Sequence, residues 1–256
     1  MTKNIILPAP QLSQLKSVNV DLNMTGRHYA FLATSEGQIP EEVVLSIVKD
    51  LMVEDANKLT LTELRYVFTL IKINSLENEY NVSVVCNHYD EKKKGPCKTV
   101  NVIPVSLSDS DLNKCPDDYK VPEIEFYYEK DKQKVYSVMP PTVDMEIGLI
   151  KLFTLERNKT FEEVMKDETE KFNYSICVSL LHLIDKDGKR LIQNLSDIDS
   201  LLKYLDLNPY IKIKQLLQYQ EEVSSFGIQN KIYECNCKEC GGKLRYRIPL
   251  LHGLVS

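Results

Sequence analysis

The residues with the clearest chemical potential are three cysteines within six positions near one end of the chain, Cys235, Cys237 and Cys240. Cys237 and Cys240 have the spacing Cys-x-x-Cys and are followed by Gly241 and Gly242. Thiolates in this spacing are typical ligands of tetrahedral structural zinc. A glycine after the second cysteine suits the tight turn of such a site, because glycine accepts a positive φ angle at little steric cost. The pattern predicts a zinc-ribbon-type turn between two strands.

A turn of this kind supplies two ligands, so a tetrahedral site needs two more from another part of the chain. Cys86 and Cys97 stand at the ends of two segments with strand-like alternation, and ten residues separate them. The predicted metal ligands are therefore Cys86, Cys97, Cys237 and Cys240. His88 and Cys235 are alternates, since each lies two positions from one of the four. Zinc is the one cofactor that the sequence indicates.

Two other interpretations of the cysteines stay open on the sequence. In the first, the hairpin has lost the metal, and its shape persists through strand pairing with free thiols. In the second, Cys237 and Cys240 form a redox pair, although that motif belongs at a strand-to-helix turn and the flanking segments here are predicted strands. In a reducing compartment, clustered cysteines more often bind metal than form disulfides.

No segment of the sequence predicts membrane insertion or export. No apolar stretch approaches the roughly 20 residues that span a bilayer. The first residues, MTKNIILPAP, lack the apolar region and cleavage site of a signal peptide. A composition of 43% hydrophobic and 27% charged residues is that of a soluble globular protein. We therefore expect a cytoplasmic protein without a membrane partner.

The sequence lacks the common catalytic motifs. It contains no Gly-x-Ser-x-Gly, no phosphate-binding glycine loop and no His-Glu-x-x-His, and its 256 residues include only nine glycines. His182 lies within the apolar segment CVSLLHLI and is predicted to be a buried core histidine. We therefore expect no enzymatic activity and no small-molecule substrate.

Basic residues alternate along the last predicted strand, at Lys243, Arg245 and Arg247. A zinc ribbon with such a face can contact nucleic-acid phosphates, which makes a nucleic-acid-binding regulatory protein the alternative function. The net charge of -5, from 37 acidic and 32 basic residues, argues against that function. The favoured interpretation is the solvated side of a hairpin, and nucleic acid is not an expected partner.

A mixed set of helices and hairpins must position the cysteines. Apolar residues recur at helical spacing after Pro40 and Thr60, and β-branched alternation marks the hairpins. The predicted fold class is α+β, with a helical middle, β-hairpins and a zinc-ribbon-like pair of cysteine hairpins. The predicted organisation is an extended N-terminal arm over residues 1–35 and a single α+β domain over residues 36–256. Within that domain we expect helices over 40–75, hairpins over 78–138, a helical region over 142–225 and a C-terminal cysteine hairpin over 229–250.

Two patches of the chain, together with the order of its elements, resemble a known family. The segment LTELRYVFTLIKINS carries the first patch, in a helix that leads into a cysteine-bearing strand, and its matching residues are Leu64, Tyr66, Phe68 and Ser75. The second patch is the closing hairpin, in which the matching residues are Cys237, Cys240 and Gly241. The chain is similar to the baseplate hub and hub-assembly proteins of T4-type bacteriophages.

The resemblance implies a non-enzymatic structural or assembly component of the central hub of a phage tail baseplate. Its expected partners are other baseplate hub and tail proteins, which it would contact through protein surfaces. Its expected locations are the host cytoplasm during assembly and the tail baseplate of the virion. The sequence is compatible both with a permanent part of the virion and with an assembly factor that leaves.

Overall fold

A computed structural model of the chain describes residues 2–35, 38–75, 79–90, 94–106, 112–228 and 232–247. Within these ranges, helices and small antiparallel sheets form one mixed architecture, which confirms the α+β class. Some ends of the predicted elements, namely residue 78 and residues 229–231 and 248–250, lie outside the described residues.

Short strands run through most of the described chain, and each pairs antiparallel with its neighbours. In chain order they are β1 (Thr2–Ile6), β2 (Ser17–Asp21), β3 (Glu79–Val85), β4 (Tyr89–Asp90), β5 (Gly95–Pro96), β6 (Val100–Ser106), β7 (Leu112–Asn113), β8 (Glu123–Glu129), β9 (Lys132–Val138), β10 (Leu183–Asp185), β11 (Gly227–Ile228), β12 (Ile232–Asn236) and β13 (Lys243–Arg247). Strands β8, β9 and β10 form a sheet in the order β10-β9-β8. The two-stranded pairs are β1-β2, β3-β6, β4-β5, β7-β11 and β12-β13.

Helices provide most of the surfaces that pack into the interior. In chain order they are α1 (Gly26–Ala33), α2 (Pro40–Leu51), α3 (Leu61–Ser75), α4 (Val143–Arg157), α5 (Phe161–Lys166), α6 (Glu168–Leu181), α7 (Ile198–Leu207) and α8 (Tyr210–Val223). Among the helices of the described residues, none has the length and apolar character needed to cross a membrane.

Three helices begin where local sequence signals predict. Pro40 occupies the first turn of α2, where its missing N–H costs no helical hydrogen bond. At α3, the Thr60 hydroxyl accepts from the Glu63 N–H at 3.3 Å, and the Glu63 carboxylate accepts from the Thr60 N–H at 2.9 Å. Thr160 and Glu163 make the same reciprocal pair at α5. These capping boxes satisfy backbone donors that a helix start leaves unpaired.

The first apolar core, here called the amino-terminal core, is built by the β1–β2 hairpin, helices α1 to α3 and the start of α4. Its residues with no measurable exposure are Val18, Val20, Val44, Val48, Leu59, Leu64, Val67, Phe68, Ile71 and Val143. Helix α3 supplies four of these at the spacing of one helical face, which is why its sequence period is so clear.

The second apolar core, here called the central core, lies between the three-stranded sheet and helices α4 to α8. Its residues with no measurable exposure are Phe126, Val138, Leu149, Phe153, Val164, Cys177, Leu180, Leu181, Leu183 and Ile198. Helix α4 contributes Val143 and Ile147 to the amino-terminal core and Leu149 and Phe153 to the central core, so it joins the two.

Two predictions about secondary structure need correction. The N-terminal segment 1–35 is not extended throughout, because Gly26–Ala33 form α1. That helix starts with the Thr25 N–H bonded to His28 Nδ1 at 2.9 Å, a local cap outside the usual Ser/Thr-x-x-Glu pattern. The region 142–225 is not helical throughout either, because Leu183–Asp185 leave α6 as β10 and pair with β9.

His182 has the structural role that the sequence predicts. It ends α6 inside the central core, where 1% of its surface is exposed. Its Nδ1 contacts the Val178 carbonyl at 2.9 Å, and its Nε2 contacts the Ser224 hydroxyl at 3.3 Å. Burial lowers the pKa of His182 to about 4, so the ring is neutral at physiological pH.

Candidate metal centre

Hairpin β3–β6 brings the first two cysteines to one end of its strands. Cys86 follows β3, and its N–H donates to the Thr99 carbonyl at 2.9 Å while its carbonyl accepts from Lys98 at 2.8 Å. The ten residues between Cys86 and Cys97 include the small pair β4–β5, which folds the chain back on itself. The Cys97 N–H then donates to the His88 carbonyl at 2.8 Å. The long insertion thus still returns Cys97 to the side of Cys86.

Hairpin β12–β13 positions the other two cysteines through the tight turn that the sequence predicts. The Cys237 N–H donates to the Gly242 carbonyl at 2.8 Å, and the Gly241 N–H donates to the Cys237 carbonyl at 2.9 Å. Gly241 has a φ of 69°, which explains the glycine at this position. A Cβ on Gly242 would lie 2.6 Å from the His88 ring, so the second glycine permits close approach of the hairpins.

The four predicted ligands meet between these two hairpins. The Sγ atoms of Cys86, Cys97, Cys237 and Cys240 all lie within 4.8 Å of one another. The Cys86 and Cys240 sulfurs are 3.6 Å apart, and the Cys97 and Cys237 sulfurs are 3.8 Å apart. A tetrahedral metal with Zn–S bonds of about 2.3 Å has sulfur–sulfur edges of about 3.8 Å. The cluster, here called the tetracysteine centre, therefore lies within metal-binding distance.

The two alternate ligands lie beside the tetracysteine centre and not in it. His88 Nε2 is 2.5 Å from the Lys243 carbonyl, so the ring N–H donates across the two hairpins. Cys235 sits on β12 opposite Leu244 and is half-buried against the cluster. Both residues border the centre, and the group of four consists of thiols alone.

Backbone donors give the thiols of the centre different electrostatic environments. The N–H of Cys240 and then that of Glu239 donate to the Cys237 sulfur and lower the pKa of Cys237 to about 6. Burial raises the pKa of Cys86 to about 12 in the absence of a cation. The turn thus favours the thiolate of Cys237, which is the form that binds metal, and a nearby cation would favour ionisation of Cys86 as well.

Asn101 is a residue of the centre that sequence reasoning missed. It projects from β6 and is 4% exposed. Its Nδ2 donates to the Thr99 carbonyl at 3.1 Å and lies 3.5 Å from the Cys237 sulfur. Its Oδ1 accepts from the Lys238 N–H at 2.9 Å. One buried amide thus connects hairpin β3–β6 to the turn of hairpin β12–β13, and a polar residue between Val100 and Val102 was the signal in the sequence.

Two basic residues of β13, Lys243 and Arg245, are engaged in ion pairs on their own hairpin. Lys243 Nζ lies 2.6 Å from one Glu234 carboxylate oxygen, and Arg245 Nε lies 2.8 Å from the other. The hydrogen bond from Lys243 is the main reason why the pKa of Glu234 is lowered. Arg247 stands opposite Ile232 in the strand register. One carboxylate therefore offsets part of the positive charge on this face.

Four sulfur ligands complete a tetrahedral coordination shell. Such a site offers no open position for water or substrate, so the arrangement suits a structural metal and not a catalytic one. Comparison of the chain with protein-family models, with curated proteins and with solved structures gives no match in any of the three. The functional argument therefore depends on the geometry of this centre.

Proposed function

We propose that the tetracysteine centre binds one structural zinc ion and fastens hairpin β12–β13 to hairpin β3–β6 as a zinc-ribbon-like unit. The observation that carries this proposal is the convergence of four thiols from two hairpins, with Cys97 and Cys237 separated by 140 residues. Soft sulfur ligands in tetrahedral geometry select zinc over calcium or magnesium, which require oxygen ligands.

The small size of this zinc-ribbon-like unit of hairpins β3–β6 and β12–β13, here called the clasp, explains why a metal is needed there. Its buried cluster contains three of the cysteines and Leu244, with Val84, Cys235 and Cys240 partly buried around them. A two-stranded hairpin with so small an apolar face is marginally stable in water. Metal binding supplies folding free energy directly where a core is too small to do so.

We further propose that the protein is a non-enzymatic structural or assembly component of the central hub of a phage tail baseplate. Its partners are other hub and tail proteins. The resemblance in two sequence patches supports this proposal, and residues of the first patch hold helix α3 in the fold. Leu64 and Phe68 are fully buried in the amino-terminal core. The Ser75 hydroxyl donates to the Leu22 carbonyl at 2.9 Å and accepts from the Met24 N–H at 2.9 Å.

The nucleic-acid-binding alternative receives less support from the surface of the clasp. Lys243 and Arg245 share the Glu234 carboxylate, so binding phosphate there would compete with existing ion pairs. We expect no retention of the protein on duplex DNA or single-stranded RNA at low salt. Retention that falls steeply with added salt would favour the alternative instead.

Metal analysis of the purified, reduced protein tests the zinc site. We expect one zinc per chain, and we expect a chelator added to the native protein to release that zinc together with four thiols that become titratable. Less than about half an equivalent of zinc, with all seven thiols of the sequence titratable, would reject the site.

The baseplate role is tested separately, in infected cells. An epitope-tagged chain should co-purify with hub proteins from assembling baseplates, and mass spectrometry of mature particles then shows whether it stays. Presence in particles identifies a virion component, whereas presence only on assembly intermediates identifies an assembly factor. Absence from both preparations would contradict the proposal.

A further inference from the structure

Two close thiol contacts of the tetracysteine centre run between the hairpins. Cys86 from hairpin β3–β6 meets Cys240 from hairpin β12–β13, with their sulfurs 3.6 Å apart. Cys97 meets Cys237 in the same crossed sense, with their sulfurs 3.8 Å apart. A disulfide needs an S–S distance of about 2.05 Å. Side-chain torsions of the two cysteines in each pair can supply the remaining approach.

We propose that oxidation converts the tetracysteine centre into two disulfides, Cys86–Cys240 and Cys97–Cys237, which keep hairpin β12–β13 attached after the metal has left. This inference rests on the proposed function in using the same four thiols, and it adds a second, covalent state of the clasp. Both bonds connect the hairpins, so neither state releases the carboxyl-terminal hairpin.

The oxidant is a peroxide, and the reaction balances with hydrogen peroxide alone. A thiolate attacks the peroxide, which gives a sulfenic acid and hydroxide. The partner thiolate attacks the sulfenic sulfur, which forms the S–S bond and releases a second hydroxide. One zinc tetrathiolate and two molecules of hydrogen peroxide therefore give two disulfides, one zinc ion and four hydroxide ions. In the formation of each disulfide, the two thiolates give up two electrons to one peroxide.

The opposite pairing, Cys86 with Cys97 and Cys237 with Cys240, would have the opposite consequence. Both bonds would lie within single hairpins, and hairpin β12–β13 would lose its sulfur connection to the rest of the chain. The position of Cys237 favours the crossed pairing instead, because its sulfur lies 3.8 Å from the Cys97 sulfur of the other hairpin. It also contacts Asn101 of the other hairpin at 3.5 Å.

The remaining cysteines do not compete for the same sites. Cys115 and Cys177 are buried in the central core. Cys235 borders the clasp and is the one thiol that needs a control, since it lies two positions from Cys237. A Cys235→Ser variant retains the four thiols of the centre and removes this ambiguity.

Disulfide mapping on the full-length Cys235→Ser protein tests the inference. The reduced, zinc-loaded protein is treated with two equivalents of hydrogen peroxide, alkylated in denaturant and digested with trypsin without reductant. Lysines between Cys86 and Cys97, and Lys238 between Cys237 and Cys240, place the four cysteines on separate peptides. We expect linked peptides that join Cys86 to Cys240 and Cys97 to Cys237. Any other pairing of these four cysteines, or four alkylated cysteines, would overturn the inference.

One further substitution sharpens the test. In the double variant Cys86→Ser/Cys235→Ser, Cys240 has lost Cys86, its expected disulfide partner, whereas Cys97 and Cys237 remain as a pair. We expect one disulfide, Cys97–Cys237, with Cys240 alkylated. A Cys237–Cys240 disulfide would show that proximity in the turn controls the pairing and would overturn the inference.

Limited proteolysis measures the consequence for the fold. With chelator and reductant, trypsin should cleave native protein after Lys238, and peroxide treatment should abolish this cleavage until reductant is restored. Cleavage that persists after oxidation contradicts the inference.

The zinc content of the reduced protein is measured first. If the chain binds no zinc but forms both crossed disulfides, only the proposed zinc site is contradicted. If it binds zinc but its cysteines form a different pairing, only this inference is contradicted.

Discussion

The two apolar cores and the cysteine clasp are stabilised by different physical means. Each core buries about twenty apolar side chains from several helices and strands, so the hydrophobic effect is distributed over many contacts. The clasp buries one leucine and its cysteines, and its hairpins are joined by four sulfurs, one asparagine and one histidine. A large core tolerates the loss of any one contact better than a small site tolerates the loss of one ligand.

Removing one thiol should have the largest effect, and the effect should be local. We expect Cys97→Ser, under reductant, to bind less than half an equivalent of zinc and to be cleaved by trypsin after Lys238. Its helical cores should unfold with a free energy within about 0.5 kcal/mol of wild type. Zinc analysis, proteolysis and urea unfolding followed by circular dichroism measure the three quantities.

Cys235→Ser is the matched control for that variant, because Cys235 borders the clasp without belonging to the four. It should retain one zinc and resist trypsin. If Cys97→Ser also retained a full equivalent of zinc, the difference between the two regions would not depend on the metal.

Truncating a core aromatic should have the converse effect, global and independent of zinc. Phe153 has no exposed surface and stacks edge-on against Tyr174, with ring centroids 5.3 Å apart. We expect Phe153→Ala to lower the free energy of unfolding by about 3–5 kcal/mol, with one zinc per folded chain. Leu155→Ala on the same helix, where the side chain is 80% exposed, should change it by less than about 0.5 kcal/mol. Equal losses in the two variants would contradict the described core.

The asparagine that joins the hairpins should matter next. Asn101→Leu removes the hydrogen bonds to the Lys238 N–H and the Cys237 sulfur, and it leaves a buried donor unpaired. We expect zinc affinity to fall by about 10–100-fold, as measured by competition with a chelator. Ser83→Ala, on the exposed face of the same hairpin, should leave the affinity unchanged. An unchanged affinity in Asn101→Leu would remove this residue from the site.

Lowering the pH should stabilise the amino-terminal core through its buried Glu63, and it should weaken zinc binding by the clasp. Burial raises the pKa of Glu63 to about 7, above its ordinary value of 4.5. Between those values only the folded state holds this proton, so its stabilisation is present at low pH and is lost as the pH rises through about 7. Zinc thiolates behave in the opposite sense, since protons compete with the metal.

The difference in unfolding free energy between wild type and Glu63→Gln isolates this group. We expect wild type to lose about 2–3 kcal/mol relative to the variant as pH rises from 4.5 to 7. Glu163→Gln is the control, because Glu163 makes the same cap at the surface and its pKa is lowered by the Thr160 N–H. Because both states of Glu163 are ionised above about pH 4.5, its difference should be nearly flat from pH 4.5 to 7 and should fall only at lower pH. Identical slopes for the two variants would contradict the burial of Glu63.

The smallest effect is expected at the surface ion pairs of the clasp. Glu234→Gln loses the contacts to Lys243 and Arg245, but the groups are partly exposed and screened by water. We expect little change in the stability of the hairpin and no change in zinc content. Glu129→Gln, in the exposed pair with Lys132 on another hairpin, provides the comparison. Loss of zinc in Glu234→Gln would show that charge pairs, and not the sulfurs, hold the clasp.

The sequence predicted the parts of the molecule that depend on local chemistry. Cysteines with metal-ligand spacing, a glycine at the positive-φ position 241 and two Thr/Glu capping boxes are each specified by a few neighbouring residues. The pairing of Cys86 and Cys97 with the distant turn could also be predicted, because a tetrahedral site requires four ligands.

The features that escaped prediction depend on contacts between distant segments. Asn101 is recognisable as part of the site only when the Lys238 N–H, 137 residues away, lies beside it. Strand β10 is three residues long and exists because β9 offers an edge to pair with. Helix α1 is short and is capped by a histidine, so neither its period nor its start matches the common signals.

Zinc-edge X-ray absorption of the reduced protein tests the central claim most directly, because it reports the metal's ligands without a variant. Four sulfur neighbours at about 2.3 Å, with no lighter atom in the shell, are expected if Cys86, Cys97, Cys237 and Cys240 hold one zinc ion. A shell of three sulfurs and one nitrogen would place His88 in the site and break the all-thiol centre. A shell of nitrogen and oxygen atoms, or no bound metal, would contradict the zinc clasp altogether.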